Sequence, residues 1–325
     1  MLLASALTPS GRDWVLESAL ATYPDARVEV LGETPGARTD AALELICECL
    51  AIPGAQFTGA ELFAGMASFR DIAGLVAVWE NDDDANDERI VLSRRSVAEL
   101  ASDLQSLLLL AEAAGASPQA IALAERLRGV HDAWRSGRIE WLLCAPPQEA
   151  AVRDAALEVA AVAGTGMPVR GLLVAPMPRK KDGWPKDIRK QAREVAEQLA
   201  LDLLPVDVRR ARAGSAPAFD QPAVFAAESS TVSDVNGQWV LTLTLPGLSA
   251  EDPDDVRVGT WSADPAHPTT HVLVRLGHRS VRWPVDATVR RCRAVDAVVA
   301  GDTIAVTFDP DDGQWPSDAS GESDE

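Results

Sequence analysis

The first residues able to do chemistry are Thr8-Pro9-Ser10-Gly11-Arg12, between a short apolar run, Met1 to Leu7, and a stretch that reads as a helix. Phosphate-binding loops occupy this setting, because backbone N–H groups and a helix N-terminus there face the anion. Such loops carry G-x-x-x-x-G-K-[ST]. Here there is one glycine, Gly11, no lysine, and Arg12 as the only cation. The segment "MPRKKDGWPKD" places Arg179, Lys180, Lys181 and Lys186 in a basic island just after an apolar run. Doubly wound folds put ligands beyond strand ends. A solvated loop is the simpler reading. An anion held there would also draw on Arg12, Arg94 and Arg95.

Metal and redox chemistry have weaker signals. His267 and His271 are four apart, with His278 nearby, but Pro265 and Pro268 break any helix. No cysteine or acidic cluster completes a site of known spacing, so no metal is expected. Cys47 and Cys49 lie on a helical pattern and point in different directions. With Cys144 and Cys292 they are too scattered for a disulfide framework, and read as buried thiols. No Ser-His-Asp set can be assembled, and no catalytic residue is assigned.

These residues need elements to hold them. Strand-like runs occur at Leu2–Leu7, Arg27–Leu31, Arg89–Leu92, Ile139–Cys144, Val169–Val174 and Leu201–Val206. Each is short and apolar, as a strand buried on both faces must be. Helical patterns lie between them, at 14–22, 40–51, 60–79, 97–114, 118–136, 148–163 and 185–199. The alternation predicts a doubly wound, mostly parallel α/β sheet. The middle helices exceed what a single crossover needs and suggest a helical subdomain at about 41–136. The leucines of "VAELASDLQSLLLLAEAAG" (Leu100, Leu104, Leu107, Leu108) fit an ordinary core face better than a client groove.

The segment "ARAGSAPAFDQP" reads as a linker or loop. After it the period becomes two, with Leu241, Leu243 and Leu245 alternating with threonines; 271–276, 280–285 and 303–308 repeat the pattern. An antiparallel β-sandwich is expected over 230–310, and a disordered acidic tail over 311–325. The net charge of −19 argues against nucleic-acid binding. No apolar run is long enough to span a bilayer, and the N-terminal run has no basic flank. A cytoplasmic protein with no membrane insertion is the expectation.

An α/β half followed by this β half resembles the arsenical-pump-driving and tail-anchored-protein-targeting ATPases, in the actinobacterial branch with a C-terminal small-heat-shock-protein-like domain. "LTLTLPGLSAEDPDDVRV" is similar to the opening strand, Pro-Gly corner and acidic turn of that domain. "RRCRAVDAVVAGDTIAVTFDPDDGQWP" is similar to its closing strands. The resemblance implies a P-loop NTPase-like α/β domain over 1–225 and nucleotides at a subunit interface. It also exposes four departures. The phosphate loop is reduced to Ser10, Gly11 and Arg12. The water-orienting Asp-Pro is replaced by Thr34 and Pro35. The metal-linked aspartate after the third strand is replaced by Ser93, with Arg94 following. The adenine-reading asparagine is replaced by Ala175.

Four losses together imply a decayed nucleotide site with no bound cofactor, and residual anion contacts at most at Arg12, Arg94, Lys180 and Lys181. The expected role is a structural or regulatory subunit, as a homodimer or paired with an intact ATPase paralogue. Two alternatives stay open: an active Mg-ATP-dependent ATPase in ion transport or protein targeting, and an ATP-independent chaperone-like binding module.

Overall fold

The computed structural model describes residues 1–31, 37–50, 59–80, 88–113, 117–176, 186–204, 206–212, 215–224, 230–245, 248, 256–262, 267–276 and 279–311. Six parallel strands form one sheet: β1 (Leu2–Ala6), β2 (Arg27–Val30), β3 (Arg89–Ser93), β4 (Glu140–Ala145), β5 (Val169–Val174) and β6 (Val208–Arg210), in the order β2-β3-β1-β4-β5-β6. The inner strands β1, β3, β4 and β5 are buried almost throughout, whereas β2 and β6 at the edges are half open. That contrast explains why the inner strands read as continuous apolar runs.

Successive residues of β1 serve opposite faces. Leu2 and Ala4 join Val15 and Ala19 of α1 (Gly11–Thr22) in one apolar cluster. Leu3 belongs to the larger cluster, built on α2 (Ala37–Leu50), α3 (Gly59–Glu80), α4 (Val97–Ala113), α5 (Pro118–Arg135), α6 (Glu149–Ala163) and α7 (Lys186–Leu203). Helices α2 to α5 pack on one another, with β3 inserted between α3 and α4 in sequence. Leu100, Leu104 and Leu107 are buried as core residues of α4.

Two sequence expectations are corrected. The run 201–206 is not a strand. Helix α7 continues through Leu203, because Ala196, Ala200 and Leu204 keep one buried face at helical spacing while Leu201 is 55% exposed. The edge strand β6 comes later, at Val208–Arg210.

Of the two readings of 211–222, the loop holds and the free linker does not, for its described residues strap onto the α1 face of the sheet. Phe219 is fully buried there, and its N–H donates to Thr22 Oγ1 at 2.9 Å. Ser18 Oγ donates to the Pro217 carbonyl, and Val169 bridges to Val224. Gly171 of β5 makes the room: a Cβ there would lie 2.3 Å from the Phe219 ring.

The remaining strands are antiparallel. One sheet has the order β12-β13-β8-β7, from β7 (Ser230–Val235), β8 (Gln238–Thr244), β12 (Cys292–Ala300) and β13 (Thr303–Pro310). The other has β11-β10-β9, from β9 (Val256–Trp261), β10 (His271–Leu276) and β11 (Arg279–Pro284). Leu241, Leu243, Val272, Val274, Ile304, Val306 and Phe308 point into the shared core. Strand β11 packs on α4 and α6, so the antiparallel part leans on the helical layer. Asp311, assigned to the tail, is tied in: its N–H donates to the Arg291 carbonyl at 3.1 Å and its carboxylate pairs with Arg293 at 3.0 Å. The rest of the expected tail lies outside the described residues.

Candidate functional site

Strand order reverses at β1, whose neighbours are β3 and β4. In open α/β sheets the ligand crevice lies beyond the carboxyl ends of the strands at that point. The residues gathered there are the β1–α1 loop, Ser93 to Arg95 after β3, and the end of β4. Of the sequence-selected positions, Ser10, Gly11, Arg12, Ser93 and Arg94 come together here. Ala175, after β5, sits one strand further along, where its N–H donates to the Ala145 carbonyl at 2.8 Å. Thr34, Pro35, Arg179, Lys180 and Lys181 lie outside the described residues, as does the side chain of Lys186.

The loop is folded on itself. The Leu7 N–H donates to the Cys144 carbonyl at 3.0 Å and pins the loop to β4. Gly11 N–H donates to Thr8 O at 3.0 Å, and Arg12 N–H to Pro9 O at 3.3 Å. Thr8 Oγ1 and Ser10 Oγ are 3.3 Å apart. Pro9 has no N–H to offer. A helix N-terminus binds anions through its unpaired N–H groups, and two of those in α1 are already engaged. Asp13 adds a carboxylate to the first turn, where it satisfies the helix dipole and opposes a second anion. Gly11 has a packing reason: a Cβ there would meet Ala6 Cβ at 3.1 Å and Cys144 Sγ at 3.3 Å. Burial pushes the Cys144 thiol up to about 12, so it stays protonated.

The arginines are also committed. Arg12 Nη2 donates to the Arg94 carbonyl at 3.2 Å and latches the two loops together. Arg95 pairs with Glu99 at 3.5 Å and Asp103 at 3.2 Å, both on α4. Ser93 is buried. Its hydroxyl donates to the Arg95 carbonyl at 2.9 Å and accepts from the Arg95 N–H at 3.3 Å, which fixes the turn. The N-terminus of α4 is capped from within: Glu158 of α6, fully buried, accepts from the Val97 N–H at 3.0 Å.

Sequence reasoning missed Asp71 of α3. It is 9% exposed, and burial raises its pKa, opposed by Arg95, Arg70 and Arg94. A signal existed: Arg70 and Asp71 are the charged residues within the otherwise apolar stretch 69–79. Asp71 therefore lies in the field of three arginines, while Arg95 Nη1 is buried without a hydrogen-bond partner.

Away from this crevice, His271 sits at the start of β10 with Nδ1 2.9 Å from Thr270 Oγ1. Among the described residues no three metal-ligating side chains lie together. Cys47 is half-buried and Cys49 buried, and neither is in a disulfide. No helix of the described residues is long and apolar enough to cross a membrane. No protein-family model matches the sequence, and no curated protein is significantly similar to it.

Proposed function

We propose that the chain is a catalytically degenerate relative of the arsenical-pump-type ATPases, acting as a structural or regulatory subunit beside an intact ATPase paralogue. In this reading the parallel sheet is a P-loop-like scaffold, and the two antiparallel sheets are an α-crystallin-like sandwich that contacts partners. The observation that carries it is the closed β1–α1 loop at the switch point. Its first helical N–H groups bond to Thr8 and Pro9, and Arg12 turns to the Arg94 carbonyl. A triphosphate requires a nest of free N–H groups and a lysine. These residues do not fit a Mg-nucleotide.

Calorimetry with Mg-ATP and Mg-ADP tests the reading. No binding up to millimolar nucleotide is the expected result. Micromolar binding overturns it and favours an active ATPase. Affinity capture of the full chain from its native cells should return a chain bearing an intact phosphate loop; recovery of the chain alone would remove the paired-subunit role.

A second reading, an ATP-independent chaperone-like module, has one specific support. Val235 on β7 and Val295 and Val298 on β12 are about half exposed on the two edge strands of the four-stranded sheet. Edge strands with apolar side chains invite extended partners. Suppression of client aggregation by the full chain without nucleotide would move this reading forward.

A further inference from the structure

The carboxyl-edge crevice is closed by its own side chains, but the opposite end of the molecule is open. A cavity of about 400 Å³ lies between the helical layer and the antiparallel sheets. Gln105, Leu108 and Leu109 of α4, His131 and Arg135 of α5 and the turn 164–166 form one side; Ser230 of β7, His271 of β10 and Arg282 and Trp283 of β11 form the other. Both Arg135 and the turn 164–166 lead into strands, β4 and β5, so the cavity lies at the amino edge of the parallel sheet.

Its wall chemistry is unlike the rest of the chain. The protein carries a net charge of −19, yet no carboxylate is among the described wall residues and two arginines come from different elements; the acidic influences, from outside the wall, are Asp103 on Arg282, Glu112 on the two histidines and Asp132 on His131. The Arg135 side chain lies across Gly166, where a Cβ would stand 3.2 Å from its Cγ and 3.4 Å from its Nε. Leu108, Leu109 and Trp283 supply an apolar floor. Burial and the neighbouring arginines keep His131 and His271 neutral, so each retains one ring nitrogen that donates and one that accepts. Small-molecule sites combine concave apolar walls with a few convergent polar groups, at volumes from about 300 Å³ upward.

We infer that this cavity binds a small organic anion, with its phosphate or carboxylate between Arg135 and Arg282 and its apolar body against Leu108, Leu109 and Trp283. The inference does not rest on the subunit role proposed above, because it concerns the other edge of the sheet.

Phenyl phosphate and benzoate are the probes, titrated calorimetrically into the full chain, with phenol and inorganic phosphate as halves of the same chemistry. At least one of the two aromatic anions should bind about ten-fold more tightly than either half. Whichever of the two binds more tightly identifies the preferred head group. Arg135→Gln is the first variant, since Arg135 is exposed and its loss should not disturb folding. It should weaken binding about ten-fold, and Arg282→Gln at least as much. Leu109→Trp, which fills the space without removing charge, should abolish binding. Should Arg282→Gln unfold, Arg135→Gln and Leu109→Trp still decide. Failure of both aromatic anions to bind at millimolar concentration overturns the inference. So does binding that Arg135→Gln and Leu109→Trp leave unchanged.

Discussion

Phe219 and Gly171 form the tightest residue-level lock in the α/β part. The ring occupies the space a β-carbon at 171 would need, and the Asp207 carbonyl stands 2.6 Å from the same point. Backbone on one side leaves no cheap direction of escape. Gly171→Ala should therefore cost several kcal/mol, about the size of an overpacked core site at its upper end. Phe219→Ala should cost about 3–5 kcal/mol by deleting a buried ring. The double variant should be markedly less unstable than the sum, because removing the ring frees part of the space; urea melts of all four chains measure the coupling. Full additivity would mean the two residues do not meet. None of this was legible in "SAPAFDQP", where a single aromatic among prolines and small residues has no period to betray its burial. Asp71 was only half legible: Arg70 is its neighbour, but the other two arginines that act on it, Arg94 and Arg95, are more than twenty positions away in sequence.

At the scale of elements, periodicity did most of the work where it was long. The inner strands were legible as short, continuously buried runs, and most helices of the described residues by buried positions at helical spacing; α3, buried at every position from 71 to 78, was legible by its length. The end of α7 was misread because "LALDLLPV" is apolar enough for either period. Leu201 separates the two. On the solvent side of a helix, Leu201→Glu should change stability by less than about 0.5 kcal/mol. Ala200→Glu, one residue away on the buried face, should unfold the chain. Equal damage from both would restore the strand. The hairpin β7–β8 was overlooked although its turn is written plainly. Asn236 and Gly237 have φ of 56° and 85°, the pair that a two-residue hairpin turn demands.

Helix α4 yields a further prediction. Its N-terminus is capped twice: Ser96 Oγ accepts from the Glu99 N–H at 3.3 Å, and the buried Glu158 carboxylate, distant in sequence, accepts from the Val97 N–H at 3.0 Å. Glu158→Ala should cost about 1–3 kcal/mol from the orphaned Val97 N–H alone, with side-chain loss adding to it. Chemical denaturation of the variant measures the cost.

For the molecule as a whole, the contact between helical layer and antiparallel sheets carries a pH signature. Burial first, then Arg282 and Arg290, push the His271 imidazole down to about 4 from 6.5, against Glu112 of α4, which raises it. His131, from the other part of the chain, is lowered by burial and Arg135, while Asp132 and Glu112 oppose. Both groups hold protons more weakly folded than unfolded, so the unfolded chain takes up protons first. Their contribution is complete above about pH 6.5 and is lost as pH falls toward about 4. Denaturant midpoints at pH 7.5, 6 and 5 should therefore decline, and His271→Gln should decline less over the same window. A parallel decline in both proteins would assign the loss to other groups. The sequence had singled out His271 for its spacing from His267, but not for its surroundings, which come from α4 and β11.

The central position of β1 governs when the molecule can come into being. Its first residue pairings run to Ile90 and Glu140, and the ring that seals its α1 side is Phe219. During synthesis β1 must wait unpaired until β3, at residues 89–93, has emerged; its other side stays open until β4, at 140–145, and the sheet is not sealed until Phe219 has been made. An apolar strand exposed for that long is a target for holding factors and for aggregation. Nascent chains stalled just after residue 175 should accordingly remain protease-sensitive, and those stalled far enough on to release residue 224 from the ribosome should be the first to resist.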